Sequence, residues 1–374
     1  MTITVREISR EQHLDYIATR PSVSFLQTPA WGAIKSEWTA HSLGWFDQDV
    51  LIGAGLLLLR KVPRVNRYLA YLPEGPDLAW DDSHQYEQAL AALTDYARNK
   101  RVFQIKIGPH VWVRRWDAEV LKEAIAQESA TTISDLTPSN VNPRGLTLTA
   151  HLSSTGWKQR SVVGEGFGDY QPRFVFQLSL EQCTEEDIFS GFNQLWRRNI
   201  RKADSAGVTI HQGTRDDLQL FHSCYVETAS RDGFTPRSLN YFERMWDNMT
   251  SEDSQRIQLF IAQHPDHHGA IAATTMTMVG THAWYSYGSS TTASRDLRPS
   301  NAIQWHMIKA ALAAGADVYD LRGISDTLDP NHHLFGLIQF KLGTGGYAQE
   351  YVGEWDYVLS PFWARAFDFY MARR

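Results

Sequence analysis

Apolar positions along this chain switch between a period of two or continuous runs, which suit strands, and a period of three to four, which suits helices. The longest apolar run extends from Val50 to Leu59, with Gly53 and Gly55 inside it and Arg60-Lys61 behind it. It falls far short of the roughly 20 residues that span a bilayer, and it predicts a buried strand over 51–59. A second strand is expected over 68–71, followed by the turn Pro73-Glu74-Gly75-Pro76. Tyr86, Leu90, Leu93 and Tyr96 then recur at helical spacing within Ser83–Asn99, and a strand over 102–107 stops at Gly108-Pro109. The second half repeats this order: strands over 270–278 and 281–287, a polar turn from Gly288 to Ser294, a helix over 300–314 with Ser300 as its N-cap, and a strand over 318–321.

This repetition predicts an α/β fold with an internal duplication. Pro138 to His151 is rich in Pro, Asn, Ser and Thr, and Gly164 to Gly168 holds three glycines, so both read as exposed connections. The tail from Gly345 onward is aromatic and strand-like, then helical, and is expected to pack back onto the first lobe. The expected lobes are therefore 1–150 plus 347–374, and 151–346. A length of 374 residues is compatible with two such units.

Composition narrows the class. With 43% apolar and 21% charged residues the chain is globular. Arg6, Glu7, Arg10, Glu11 and Asp15 leave no room for the apolar core of a signal peptide at the start, so a cytoplasmic location is expected. Cys183 and Cys224 have no disulfide or zinc spacing, and His267-His268 and His332-His333 lack a third ligand, so no metal is expected. A net charge of −6 argues against a general nucleic-acid coat and against DNA as a partner, while leaving room for a local basic patch.

Three segments could carry chemistry. Glu185 to Ala206 reads as an amphipathic helix or helix pair, with Ile188, Phe192, Leu195 and Ile200 on one side and Arg197, Arg198, Arg201 and Lys202 crowded together. Such a cluster is either a solvated face or a contact for phosphates; Trp196 and Asn199 interleave it. The stretch from Leu297 to Ala302 lacks the glycines with which coenzyme A-dependent acetyltransferases approach a pyrophosphate, which argues against that donor. Phe340-Lys341-Leu342-Gly343 sets one lysine before a glycine-rich turn. That lysine either stabilises charge developing in acyl transfer or snorkels from a strand end.

Several segments taken in order resemble the Fem family of peptidoglycan aminoacyltransferases. They are Phe25-Leu26-Gln27-Thr28-Pro29-Ala30-Trp31-Gly32-Ala33-Ile34-Lys35, Tyr71-Leu72-Pro73-Glu74-Gly75-Pro76, and Trp196-Arg197-Arg198-Asn199-Ile200-Arg201-Lys202-Ala203. Tyr285-Ser286-Tyr287-Gly288, Pro299-Ser300-Asn301, Tyr319-Asp320-Leu321-Arg322-Gly323-Ile324 and Phe340-Lys341-Leu342-Gly343 complete the set. The resemblance implies two acetyltransferase-like lobes of the acyl-CoA N-acyltransferase fold. It also implies transfer of an amino acid from aminoacyl-tRNA, with no further cofactor. The acceptor would be the side-chain amine of the third stem-peptide residue, on UDP-MurNAc-pentapeptide or on lipid II with peripheral membrane contact.

Carried over by position, the resemblance implies that Lys35 and Arg237 hold the muropeptide diphosphate. Tyr241 and Tyr287 would line the same groove, and Trp38 would add an aromatic wall. Phe340 would pack near the terminal adenosine of the tRNA, Arg197, Arg198, Arg201 and Lys202 would contact its phosphates, and Lys341 would stabilise the tetrahedral oxyanion or the departing ribose oxygen. The chain departs from the family in having Lys106-Ile107-Gly108-Pro109 where an aspartate often follows, and in leaving no room between Ala203 and Leu220 for a long helical arm. Two alternatives keep parts of this picture: a transferase acting on a peptide natural product, and a non-catalytic scaffold that binds nucleotide sugars or RNA.

Overall fold

A computed structural model of the chain describes residues 3–159 and 171–371. It divides into two compact units. The first comprises Met1–Arg115, Pro138–Phe174 and Gln349–Arg374, and the second Trp116–Thr137 and Val175–Ala348. The expected glycine-rich connection at 164–168 lies outside the described residues.

The first unit is built on a seven-stranded sheet. Its spatial order is Ile3–Glu7, Thr39–Asp47, Val50–Lys61, Tyr68–Leu72, Val102–Ile107, Trp355–Val358 and Lys158–Gln159. All neighbours are antiparallel except Tyr68–Leu72 and Val102–Ile107, the parallel pair that the helix Ser83–Asn99 connects. That helix starts where the Asp82 side chain accepts from the Gln85 N–H. It buries Tyr86, Ala89, Leu90, Leu93 and Ala97, a stripe at helical spacing, while Tyr96 is only half-buried and donates to Glu7. The stripe packs with Trp45, Leu57, Leu72, Ile105 and Trp355 in one core. Trp45 is fully buried because its indole N–H finds a partner, the Ala89 carbonyl at 2.9 Å. The closing helix Pro361–Met371 covers the other face, where Ala364 and Phe367 pack on Leu69 and Phe103.

The motif around Phe25 earns its place here by structure. Gln27 is buried, donates to the Pro73 carbonyl at 2.6 Å and accepts from the Leu56 N–H at 2.8 Å. It thereby ties the strand Val50–Lys61 to the turn that ends Tyr68–Leu72. Gly75 is required beneath it, since a Cβ there would lie 2.3 Å from the Gln27 amide carbon.

The second unit carries the order Thr209–Gly213, Ile257–Gln263, Ala272–Val279, His282–Ser290, Val318–Gly323 and Phe174–Ser179. Again one pair is parallel, His282–Ser290 with Val318–Gly323, and the helix Pro299–Ala313 connects it. The helices Leu218–Asp232 and Leu239–Glu252 precede the strand Ile257–Gln263, so the two units share a common plan of antiparallel strands, one parallel pair and a crossover helix.

Several expectations are corrected. The stretch read as a connection at 138–151 contains a helix, Pro143–Ser154: Asn142 caps it, Pro143 sits in its first turn, and Leu148 and Leu152 are buried. Ser300 is not an N-cap. The cap position falls on Arg298, in left-handed conformation with no side-chain bond, because Pro299 takes the first helical position. The described residues of 151–174, assigned to the second lobe, join the first unit, and residues 116–137, assigned to the first lobe by position along the chain, join the second. There Ala118 N–H bonds to the Gly346 carbonyl, Leu328 N–H to the Thr131 carbonyl, and Ser134 to the Asp326 carboxylate. Between the helix Gln194–Ser205 and the strand Thr209–Gly213 there is only a short turn, and no helical arm. Among the described residues no helix is long and apolar enough to cross a membrane.

Candidate active site

Lys341 does not end a strand. It lies in the last turn of the helix Phe335–Leu342 and is only 3% exposed, so it cannot snorkel to water. Its ammonium donates to two backbone carbonyls, Arg322 O at 3.1 Å and Gly323 O at 2.6 Å. An ammonium has three donors, and the third is uncommitted among the described residues. Burial pushes the amine down to about 7, with Asp320 acting to raise it and Arg322 to lower it further. Both protonation states are therefore accessible near neutrality, and the charged form is poised to meet developing negative charge.

The carbonyls that hold Lys341 belong to an unusual turn. Arg322 adopts φ +63°, a left-handed conformation that costs a non-glycine residue on the order of 1 kcal/mol. Asp320 is completely buried and its carboxylate accepts from the Arg322 N–H at 2.5 Å and from the Gln177 amide at 2.9 Å. His282 approaches the same carboxylate at 3.5 Å and stacks on Trp284. Burial alone would raise the Asp320 carboxyl, but His282, Arg322 and Gln177 outweigh it and hold it below the ordinary value.

Trp196 explains the glycine of Phe340-Lys341-Leu342-Gly343. Its indole packs 4.7 Å from the Phe340 ring and donates to the Phe340 carbonyl at 2.8 Å. It occupies the space over Gly343, where a Cβ would come within 2.1 Å of it. Asn193 adds a backbone bond to the Gly343 carbonyl at 2.9 Å. The basic segment thus forms two helices, Glu185–Gly191 and Gln194–Ser205. Trp196, Ile200 and Ala203 make the buried stripe of the second, and Leu195, expected on that side, is 51% exposed. Its cations divide. Arg197 is half-buried and donates to the Ser190 carbonyl at 2.7 Å, so it holds the two helices together, while Arg198, Arg201 and Lys202 are exposed.

Arg237, Tyr241 and Tyr287 do come together. The two phenol oxygens are 3.1 Å apart and the Arg237 guanidinium lies 5.2 Å over the Tyr241 ring. Burial raises both phenols, so both are neutral donors at ordinary pH, and Arg237 itself is exposed. Lys35 and Trp38 belong to the first unit. Lys35 follows the helix Pro29–Ile34 with its ammonium 4.4 Å over the Trp31 ring; Trp38 packs on Tyr71 with Arg60 nearby.

A cavity of about 700 Å³ opens beside Phe340 in the second unit, walled by Tyr285, Ser289, Arg295, Gln304 and His333. Lys341 is not part of that wall; its neighbour Phe340 is. The sequence pattern did not reveal Asp320 and Arg322 as partners of Lys341, since they lie 21 and 19 residues before it, nor Trp196 as the packing partner of Gly343. The spacing of Trp196, Ile200 and Ala203 was the available signal for the last. Among the described residues no cluster of His, Cys, Asp and Glu could hold a metal ion.

Known proteins share the sequence pattern and the fold of this chain. The sequence model of the FemAB family matches residues 8–254 and 248–370. A lipid II:glycine glycyltransferase of Staphylococcus haemolyticus (strain JCSC1435) is 24% identical over 423 aligned residues, covering 94% of this chain and 92% of the relative. A namesake from Staphylococcus aureus (strain MRSA252) is 22% identical with the same coverage. Among solved structures, a crystal structure of FemX superposes with a TM-score of 0.79 at 20% identity, covering 97% of this chain and 99% of that one. A tandem GNAT protein from the clavulanic acid biosynthesis pathway follows the same two-lobed fold with a TM-score of 0.54 at 10% identity, covering 96% and 99%. The fold is that of two acetyltransferase-like lobes, and the chain belongs to the FemAB family.

Proposed function

We propose that this protein transfers an amino acid from aminoacyl-tRNA to the side-chain amine of the third residue of the peptidoglycan stem peptide, on UDP-MurNAc-pentapeptide or lipid II. The single observation that carries the chemistry is the buried Lys341, held by two carbonyls with one donor left over. The names of the staphylococcal relatives, matched along nearly their whole length, support the substrate class.

In this reading the acceptor amine attacks the ester carbonyl of the charged tRNA, a C–N bond forms, and the C–O bond to the ribose breaks. The amine gives up its proton and the ribose oxygen gains one, so the step needs no cofactor. Lys341 offers its third N–H to the oxyanion of the tetrahedral intermediate or to the departing oxygen. One such donor contributes on the order of 10²–10³ in rate. Phe340, on the cavity wall, is placed to pack against the terminal adenosine, and Arg198, Arg201 and Lys202 to attract tRNA phosphates. Arg197 contributes to that surface chiefly by fixing the helix. Arg237 with the neutral phenols of Tyr241 and Tyr287 suits a diphosphate, and Lys35 and Trp38 are the first unit's own candidates for the muropeptide. The reaction belongs in the cytoplasm, where charged tRNA is found, with membrane contact only through lipid II.

Mass spectrometry of the muropeptide after incubation with total charged tRNA tests this. An acceptor with a free third-residue amine gains the mass of one amino-acid residue, which also names the residue. Equal gain by an acceptor acetylated at that amine would refute the proposed site of attack.

A further inference from the structure

Asp320 is a fully buried carboxylate, which is costly unless its oxygens and charge are met by partners. It touches no exposed surface, yet it sits at the turn that supplies both carbonyls to Lys341. We propose that Asp320 is a positioning residue for the transfer: its carboxylate pins the Arg322 N–H, which holds the left-handed turn that presents the Arg322 and Gly323 carbonyls to the Lys341 ammonium.

The geometry has one consistent direction. A left-handed backbone at an arginine carries a modest cost, which a local hydrogen-bond restraint offsets. The 2.5 Å bond from Arg322 N–H to Asp320, two residues before it, is that restraint. Without it the turn relaxes toward ordinary backbone, and the two carbonyls leave the ammonium. Gln177 holds the second carboxylate oxygen at 2.9 Å and is itself fixed by the Tyr347 hydroxyl at 3.2 Å, so the carboxylate cannot swing away.

The charge adds to the geometry. The charged groups acting on Lys341 are Asp320, which favours its protonated form, and Arg322, which opposes it. Those acting on Asp320 are His282 and Arg322, with Gln177 as a neutral donor. Tyr319, next in the chain, keeps its proton and donates to Gln304. Removing the Asp320 charge therefore leaves Lys341 with a cation as its dominant neighbour, and its protonated form becomes harder to keep.

This inference rests on the catalytic reading of Lys341, but it is tested without assuming it. In protein carrying ¹³C-labelled lysine side chains, Lys341 is identified by the signal that Lys341→Met removes, and its titration is followed by NMR. Asp320→Asn, which keeps an acceptor oxygen for Arg322 and removes the charge, is expected to move the midpoint down by about one pH unit, a tenfold change in the protonation equilibrium. The alkaline limb of the transfer rate should move down by the same amount, with KM for the muropeptide unchanged. Asp320→Ala should in addition broaden or split the Lys341 signal as the turn is released. In the wild type itself, the Arg322 amide should exchange with solvent at least 100-fold more slowly than exposed loop amides, a readout that needs no variant to fold. A Lys341 signal and midpoint unchanged in Asp320→Ala, or a fast-exchanging Arg322 amide, overturns the proposal. A midpoint that moves while the transfer rate does not would instead overturn the catalytic reading of Lys341.

Discussion

The two units use the same parallel strand pair in opposite ways. In the first, Tyr68–Leu72 and Val102–Ile107 shift register once, after Tyr68, and then stay paired up to Leu72 and Ile107, and the Gly108 N–H bonds to the Gly75 carbonyl at 3.0 Å. Gln27 closes the turn from the other side. In the second, His282–Ser290 and Val318–Gly323 pair only as far as Trp284 and Asp320, although one strand continues to Ser290 and the other to Gly323. Parallel strands that part leave backbone groups in need of partners. In the second unit the partner for two of those carbonyls is a lysine ammonium. The comparison teaches that equivalent strand ends are filled by a neutral amide in one unit and by a buried amine in the other.

The largest expected effect breaks the open end. Lys341→Met should lower kcat by about 10²–10³-fold. Its unfolding midpoint should shift little, because the relief of no longer burying an amine offsets the two carbonyls left without a donor. A rate within threefold of wild type would show that the opening is not the reactive end.

The next concerns the first unit alone. His13 is buried against Ser42 at 2.8 Å, and burial depresses it to about 4. The unfolded chain therefore binds a proton near pH 6.5 that the folded unit refuses. Stability is complete above that pH and falls by roughly 3 kcal/mol as pH drops toward 4, at about 1.4 kcal/mol per unit. Denaturant melts between pH 7 and 4.5 should show the loss, and His13→Gln should flatten it.

Opening the sealed end should cost less. Gln27→Leu strands the Pro73 carbonyl and the Leu56 N–H, at about 2 kcal/mol in a urea melt. It should leave kcat at Lys341 within a factor of two, which would confirm that the two ends act separately. The smallest effect is electrostatic. Reversing Arg198, Arg201 and Lys202 to Glu should raise KM for charged tRNA about tenfold at low salt, with a shallower salt dependence than wild type.

Much of the fold was legible because its strands are apolar runs and its crossover helices carry a stripe at helical spacing. Ser83–Asn99 and Val102–Ile107 were read with their observed bounds, and Pro299–Ala313 within one residue. The helix Pro143–Ser154 was hidden because proline and asparagine, which mark loops, also mark helix starts. Residues 116–137 were misplaced because their hydrogen bonds reach partners about 200 positions later, which no local pattern encodes. The family resemblance singles out Lys341 and Arg237, Tyr241 and Tyr287, and the last three lie together in the structure. The surroundings of Lys341 were not legible: a lysine before a glycine looks like a strand end until Trp196 and the turn at Arg322 show it to be a buried helical residue.

The most direct test of the central claim compares wild type and Lys341→Met with the same muropeptide and total charged tRNA, reading the acceptor by mass spectrometry and its binding by calorimetry. The account expects wild type to add one amino-acid residue, and the variant to bind the muropeptide with similar affinity while adding none over the same interval. Equal addition by the variant would contradict it.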